Sequence, residues 1–160
     1  ATLIDEDENW KAYRIDTYEA SKYYGYGTQW CISSAENAVN IFDGVIADDE
    51  VEIEDIIIIS DDTALELGKI RFRESGSHGG QNGLRNIIEQ LGTPNFKRLR
   101  VGIGDNKLMN KADFVLGKFQ PKEIDVLLPA LNQGFEAILE WIKNEKFNNI
   151  MTRYNTPQAK

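Results

Sequence analysis

Among its 160 residues the chain has one cysteine and one histidine, Cys31 and His78. An internal disulfide is excluded, and this pair cannot build the usual zinc sites, which take three or four Cys, His or carboxylate ligands. No structural metal and no cofactor are expected. Long apolar runs are lacking as well: nothing approaches the roughly 20 uncharged apolar residues of a membrane helix. Ala1 to Trp10 is acidic where a secretory signal would be basic and then apolar. A soluble, cytoplasmic protein without a membrane partner is the expectation. Positive charge is also scarce, 18 Lys+Arg against 26 Asp+Glu for a net charge of −8. That balance argues against nucleic acid, whose binding is driven by Lys and Arg displacing counterions.

The average conceals an asymmetry. Residues 1–80 carry 6 Lys+Arg and 18 Asp+Glu, a net −12, whereas residues 81–160 carry 12 and 8, a net +4. Any RNA contact is expected in the second half; ordinary solvated surface is the alternative until a motif claims those cations. With 41% hydrophobic residues the chain can bury one α/β core but is short for two.

Patterning is weak before about residue 50. Trp10 to Tyr13 suits the start of a strand, and Tyr18, Ala20 and Tyr24 have helical spacing, as do Ala38, Val39 and Phe42. Ile56 to Ser60 is the first clear strand: four consecutive isoleucines are β-branched and apolar on both faces, as in a central strand covered on both sides. Asp61 and Asp62 follow at its C-terminal end, where open α/β sheets place ligand sites. Lys69 to Arg73 alternates, with Ile70 and Phe72 inward and Lys69, Arg71 and Arg73 outward. Glu74 to Gly83 is a loop rich in glycine. Leu84, Ile87, Ile88 and Leu91 then mark a helix capped by Gly92, whose N-terminus favours anions. Arg98 to Ile103 and Phe114 to Leu116 are strand candidates. Pro121 starts a helical region carrying Leu127, Leu131, Phe135, Ile138, Leu139 and Ile142, which Pro129 should kink or restart.

Three stretches in order carry a resemblance: Gly79-Gly80-Gln81-Asn82-Gly83-Leu84, then Phe96 to Gly104 (FKRLRVGIG), then Phe114 to Lys118 (FVLGK), with MTRYN at 151–155. Together, over roughly residues 55–155, they resemble peptidyl-tRNA hydrolase of the bacterial type. A lone glycine loop would be weak evidence; three ordered motifs are not. The resemblance implies a single α/β domain with a twisted mixed β-sheet flanked by helices. It implies a cytoplasmic, metal-free monomer that binds tRNA or peptidyl-tRNA and hydrolyses the ester between peptide and 3′ ribose. Residues 51–160 would form this core and residues 1–50 a divergent segment, replaced or fused.

In that family a histidine activates water, an aspartate orients the histidine, and asparagines position the substrate. Position by position, Asp61 matches the orienting aspartate and Asn82 the asparagine of the loop formed with Gly79 and Gly80. Arg100 and Lys107 fall where the family meets tRNA phosphates, with Arg73 a weaker candidate. Taken alone, Asp61 would read as a strand-end turn residue and Asn82 as a helix N-cap.

The family's opening strand, G-N-P-G turn and T-R-H-N segment, which supplies the catalytic histidine, do not occur in Ala1 to Asp55. An echo of its substrate-positioning helix start survives at Ser33 to Val39, with Ser33 where the family has asparagine. His78, the single imidazole, is the substitute base on offer; a loop histidine is the alternative. Thr17 to Ile32 resembles a short motif of phage-encoded proteins, and its aromatics, Tyr24 and Trp30 among them, suit base stacking or, more commonly, core packing. Three readings follow: a hydrolase, an RNA-binding module that keeps the fold without the base, and a recombined or constructed chain in which the missing first strand leaves a gap in the sheet or is replaced by Asn9 to Ile15.

Overall fold

The computed structural model describes residues 2–6, 10–16, 28–34, 52–109 and 117–155. The helical patterns expected around Tyr18 and Val39 and the strand expected at Phe114 to Leu116 lie outside them. In chain order the elements are strands β1 (Thr2–Glu6), β2 (Trp10–Asp16) and β3 (Thr28–Ser34), a 3-10 turn at Ile53–Asp55, and strands β4 (Ile56–Asp62) and β5 (Ile70–Arg73). Helix α1 (Asn82–Leu91), strand β6 (Lys97–Gly102) and helices α2 (Pro121–Ile142) and α3 (Phe147–Tyr154) complete them. Contacts divide the chain into two units, residues 1–60 with 73–98 and residues 61–72 with 99–160.

In the first unit the strand order is β1-β2-β3-β4, each neighbour antiparallel. Trp10 to Tyr13 indeed lies in a strand, but the strand laid against β4 is β3, with Ile32 opposite Ile57. Ile56, Ile57 and Ile58 are at most 1% exposed, as an apolar run in a covered strand requires. Ile56 and Ile58 pack with Leu84, Ile87 and Phe96, joined by Ile53, Ile88 and Leu91. Helix α1 thus inserts the i, i+3, i+7 stripe that its sequence displays. Gly92 ends the helix in the left-handed region, at φ 72°, and its N–H donates to the Ile88 carbonyl.

In the second unit the strand order is β4-β6-β5. The Ile103 N–H donates to the Asp62 carbonyl and the Gly102 N–H to that of Lys69. The first bond sets the C-terminal ends of β4 and β6 side by side, so these strands run parallel; the second sets the end of β6 beside the start of β5, so those run antiparallel. The sheet is mixed, as expected of this α/β fold. Gly102 permits the join: a β-carbon there would stand 2.1 Å from the Glu66 carbonyl oxygen.

Helix α2 does not restart at Pro129. It is one continuous helix through Pro129, an exposed position where the carbonyl left without its N–H partner can be met by water. Its buried face is Leu127, Ala130, Gly134, Ala137 and Ile138, while Leu131 and Phe135 are 40% and 53% exposed. Small residues decide this. A β-carbon on Gly134 would lie 2.9 Å from Leu99 Cδ2, so the helix approaches the sheet where it has least bulk.

Helix α3, which apolar spacing did not reveal, docks through three rings and one amide. Phe147 and Tyr154 meet Phe72 edge-on, at centroid distances of 5.9 and 6.2 Å. The side chain of Asn155 accepts from the Phe72 N–H at 2.7 Å and donates to the Phe72 carbonyl at 2.8 Å. Before the helix, the Asn149 side chain and the Lys146 N–H donate to Glu145 and hold its carboxyl below its usual range, with Arg153 adding to the effect.

Candidate functional site

Two groups of residues carry the chemistry that the sequence points to. The first is the run from Glu74 into α1. Gly79 and Gly80 both adopt positive φ, 59° and 81°, and turn the chain so that the Gln81 N–H donates to the His78 carbonyl at 2.9 Å. Neither β-carbon would meet an atom within 4 Å, so backbone conformation and not crowding calls for glycine there. The helix begins at Asn82, and the N-cap is Gln81, whose Oε1 accepts from the Leu84 N–H at 2.7 Å. The capping role that Asn82 would have taken by sequence belongs to its neighbour.

His78 is half-buried in this loop. Its Nδ1 accepts a hydrogen bond from the Gly80 N–H at 2.9 Å. An imidazole whose Nδ1 is an acceptor carries its proton on Nε2 when neutral, so Nε2 is the donor. The geometry therefore uses His78 to close the glycine turn.

Arg98 is the residue that sequence reasoning overlooked. It is 2% exposed, although it sits among the cations assigned to the surface. Its guanidinium donates to the carbonyls of Gly76, Ser77 (2.8 Å) and Pro94 (2.7 Å) and lies 4.2 Å above the Phe96 ring. The available signal was local: Phe96 precedes it by two residues, on the same face of the strand.

The second group lies at the C-terminal end of β4. Asp61 and Asp62 are half-buried there, at the edge where ligand sites of such sheets occur. Asp62 Oδ1 accepts from the Ala64 N–H at 2.8 Å, an Asx turn that explains how the chain leaves the strand. The other oxygen of Asp62 is ion-paired with Arg100. The Arg100 side chain remains 34% exposed and that of Asp62 only 11%. Lys107 is exposed in a turn where the Asn106 side chain accepts from the Leu108 N–H at 3.0 Å. Arg73 is half-buried at the end of β5, and the backbone of Ser33 pairs with Ile56 in the β3–β4 ladder.

A mixed sheet with helices, carboxylates at a strand end and a glycine turn that opens a helix places the chain among α/β proteins. Comparison with known proteins narrows the class. The family model for peptidyl-tRNA hydrolase matches residues 38–160, and the chain belongs to the peptidyl-tRNA hydrolase family. It is 45% identical over 107 residues to the peptidyl-tRNA hydrolase of Mycoplasmoides gallisepticum, covering 66% of this chain and 58% of that protein. To that of Oceanobacillus iheyensis it is 40% identical over 107 residues, covering 66% and 57%. Among solved structures, peptidyl-tRNA hydrolase from Acinetobacter baumannii superposes with a TM-score of 0.57 at 31% identity, over 62% of this chain and 50% of that one. The chain thus spans under three fifths of the length of the curated relatives it matches. Among the described residues, no helix is long and apolar enough to cross a membrane.

Proposed function

We propose that the chain acts on peptidyl-tRNA in the cytoplasm, as a monomer and without a metal, hydrolysing the ester that joins peptide to tRNA. The observation that carries this reading is the family match over residues 38–160, which includes both the strand-end Asp61 and the glycine turn leading into Asn82. An ester needs an activated water and a polarised carbonyl, no more. In this reading Asp61 orients the base, Asn82 and the backbone of Gly79 and Gly80 position the peptide end, and Ser33 stands in for a second positioning amide. Arg100 and Lys107, with Arg73, meet phosphates.

The base is the open element of the mechanism, and His78 is the single imidazole in the sequence. The test is release of peptide from an N-blocked aminoacyl-tRNA by the full chain, beside His78→Ala and Asp61→Asn. Turnover lost in both variants assigns the base and its orienting carboxylate. Turnover retained in His78→Ala removes His78 from the mechanism, and no turnover in the parent chain defeats the hydrolase reading.

A second reading is favoured by one observation, the engagement of His78 Nδ1 by the Gly80 N–H. If that bond persists with substrate present, the chain is an RNA-binding member of the family that does not cleave. It then binds tRNA with an affinity that falls steeply with salt and releases nothing; affinity indifferent to salt would sink it.

A further inference from the structure

The bonds of Arg98 join parts of the chain that regular secondary structure does not hold together. Gly76 and Ser77 lie in the loop before α1, and Pro94 lies in the turn after it. One guanidinium on β6 therefore grips the approach to both ends of that helix. Resting on the Phe96 ring, itself 2% exposed within the core that also holds Leu84 and Ile87, the guanidinium is fixed to the packed part of the unit. Within the glycine turn the Gly80 N–H donates to His78 Nδ1 and the Gln81 N–H to the His78 carbonyl.

We infer that Arg98 is a positioning residue for the segment from Gly76 to Asn82. By holding the Gly76 and Ser77 carbonyls, it sets the point from which the glycine turn starts and hence where the first residues of α1, Asn82 among them, are presented. It touches no phosphate: at 2% exposure, with both terminal nitrogens donating to backbone carbonyls, it cannot reach one without leaving its seat. This separates Arg98 from Arg100, two residues on and 34% exposed. The planar fork is what the role demands. A lysine keeps the charge, but its compact ammonium cannot reproduce the fork that spans carbonyls on two separate loops. The claim about where Asn82 acts rests on the hydrolase reading; the claim that Arg98 orders the loop does not.

The experiment compares the full chain with Arg98→Lys and, as a second perturbation that keeps the guanidinium, Phe96→Leu. Far-UV circular dichroism identifies variants that remain folded. Amide hydrogen exchange is then read at Gly80, Gln81 and Leu84, whose N–H groups close the turn and cap the helix. In Arg98→Lys, protection at these three amides falls at least tenfold more than in β4, and Phe96→Leu gives a smaller loss at the same amides. In a third variant, Arg98→Gln, which removes the charge, the salt dependence of tRNA binding keeps the slope of the parent, whereas loss of a phosphate contact would lower it by about 1. If the parent chain hydrolyses peptidyl-tRNA, kcat/KM falls about 100-fold in Arg98→Lys, as expected when a substrate-positioning group shifts by about an ångström. Unchanged exchange at the three amides overturns the inference, and so does a slope lowered by about 1. A parent chain that neither binds nor cleaves tRNA defeats the proposed function, yet leaves the exchange result to decide the role of Arg98.

Discussion

Asn155 offers a severe test of how the second unit is held together. Its side-chain amide satisfies both backbone polar groups of Phe72, a residue that is 0% exposed. Replacing it with alanine leaves a donor and an acceptor without that partner, and each such group costs about 1–3 kcal/mol when water cannot replace it. Asn155 is itself half-buried, so some water enters and the lower part of the range applies, giving a total of about 2–3 kcal/mol. Asn155→Asp separates this bookkeeping from a simple loss of packing. An ionised aspartate still accepts from the Phe72 N–H but presents lone pairs to the carbonyl, whereas the protonated acid donates to it as the amide does. Burial beside a carbonyl therefore raises the folded-state pKa of the new carboxyl above its unfolded value of about 3.9. A group raised in this way contributes stability that is fully present below the unfolded pKa and is lost as pH rises through the folded one. Urea unfolding followed by far-UV circular dichroism at pH 4 and pH 7 reads the difference from the parent at each pH. The aspartate variant should lie close to the parent at pH 4 and near or below the alanine variant at pH 7. The reasoning fails if Asn155→Ala costs under about 0.5 kcal/mol, or if the Asp and Ala variants show the same deficit at both pH values.

Two further outcomes follow from the same geometry. Gly102→Ala forces its β-carbon against the Glu66 carbonyl oxygen and Leu65 Cβ, 2.1 and 2.9 Å away. Backbone must move, at a cost of about 1–3 kcal/mol, so thermal unfolding should show a fall of several degrees in Tm; an unchanged Tm would mean that the approach is looser than it stands. Arg100→Ala and Lys107→Ala should each weaken tRNA binding and lower its salt slope by about 1. Only the first should also lower stability, by about 2 kcal/mol, because the Asp62 carboxylate left behind is 11% exposed. Equal stability of the two variants would show that the Asp62–Arg100 pair contributes nothing to folding.

Much of the fold was legible because the decisive residues act locally. Four β-branched isoleucines have few alternatives to a covered strand, and Gly92 after a helical stripe is a stop for steric reasons that do not depend on the rest of the chain. Helix α2 was legible in position but not in orientation. Leu131 and Phe135 have the greater apolar bulk, but the apolar spacing did not say which of the helix's residues face the sheet. Close approach to β6 instead favoured Ala130, Gly134 and Ala137, because distance and not hydrophobicity limits the contact. Helix α3 escaped notice because its attachment depends on Phe72, distant in sequence, and on an asparagine that binds that residue's backbone.

The site shows the same division at finer scale. Asp61, Asn82, Gly79 and Gly80 could be picked out by type and order, since a strand-end carboxylate and a glycine turn before a helix are local features. What each side chain bonds to could not. In the run Lys97-Arg98-Leu99-Arg100 the alternation puts both arginines on one face, yet one lies beneath the loops at 74–77 and 94 and the other at the strand's open end beside Asp62. Composition counts them as equal positive charges, but only Arg100 keeps exposure enough to serve a phosphate. The basic excess of the second half therefore overstates its exposed positive charge, since Arg98 holds the chain's own carbonyls. His78 follows the same logic. Being the only imidazole made it the candidate base, but the bond from Gly80 to Nδ1 leaves the proton on Nε2. For His78 to accept a proton from water at Nδ1, the ring must first give up that bond, which rotation of the side chain achieves while the Gln81 N–H still donates to the His78 carbonyl.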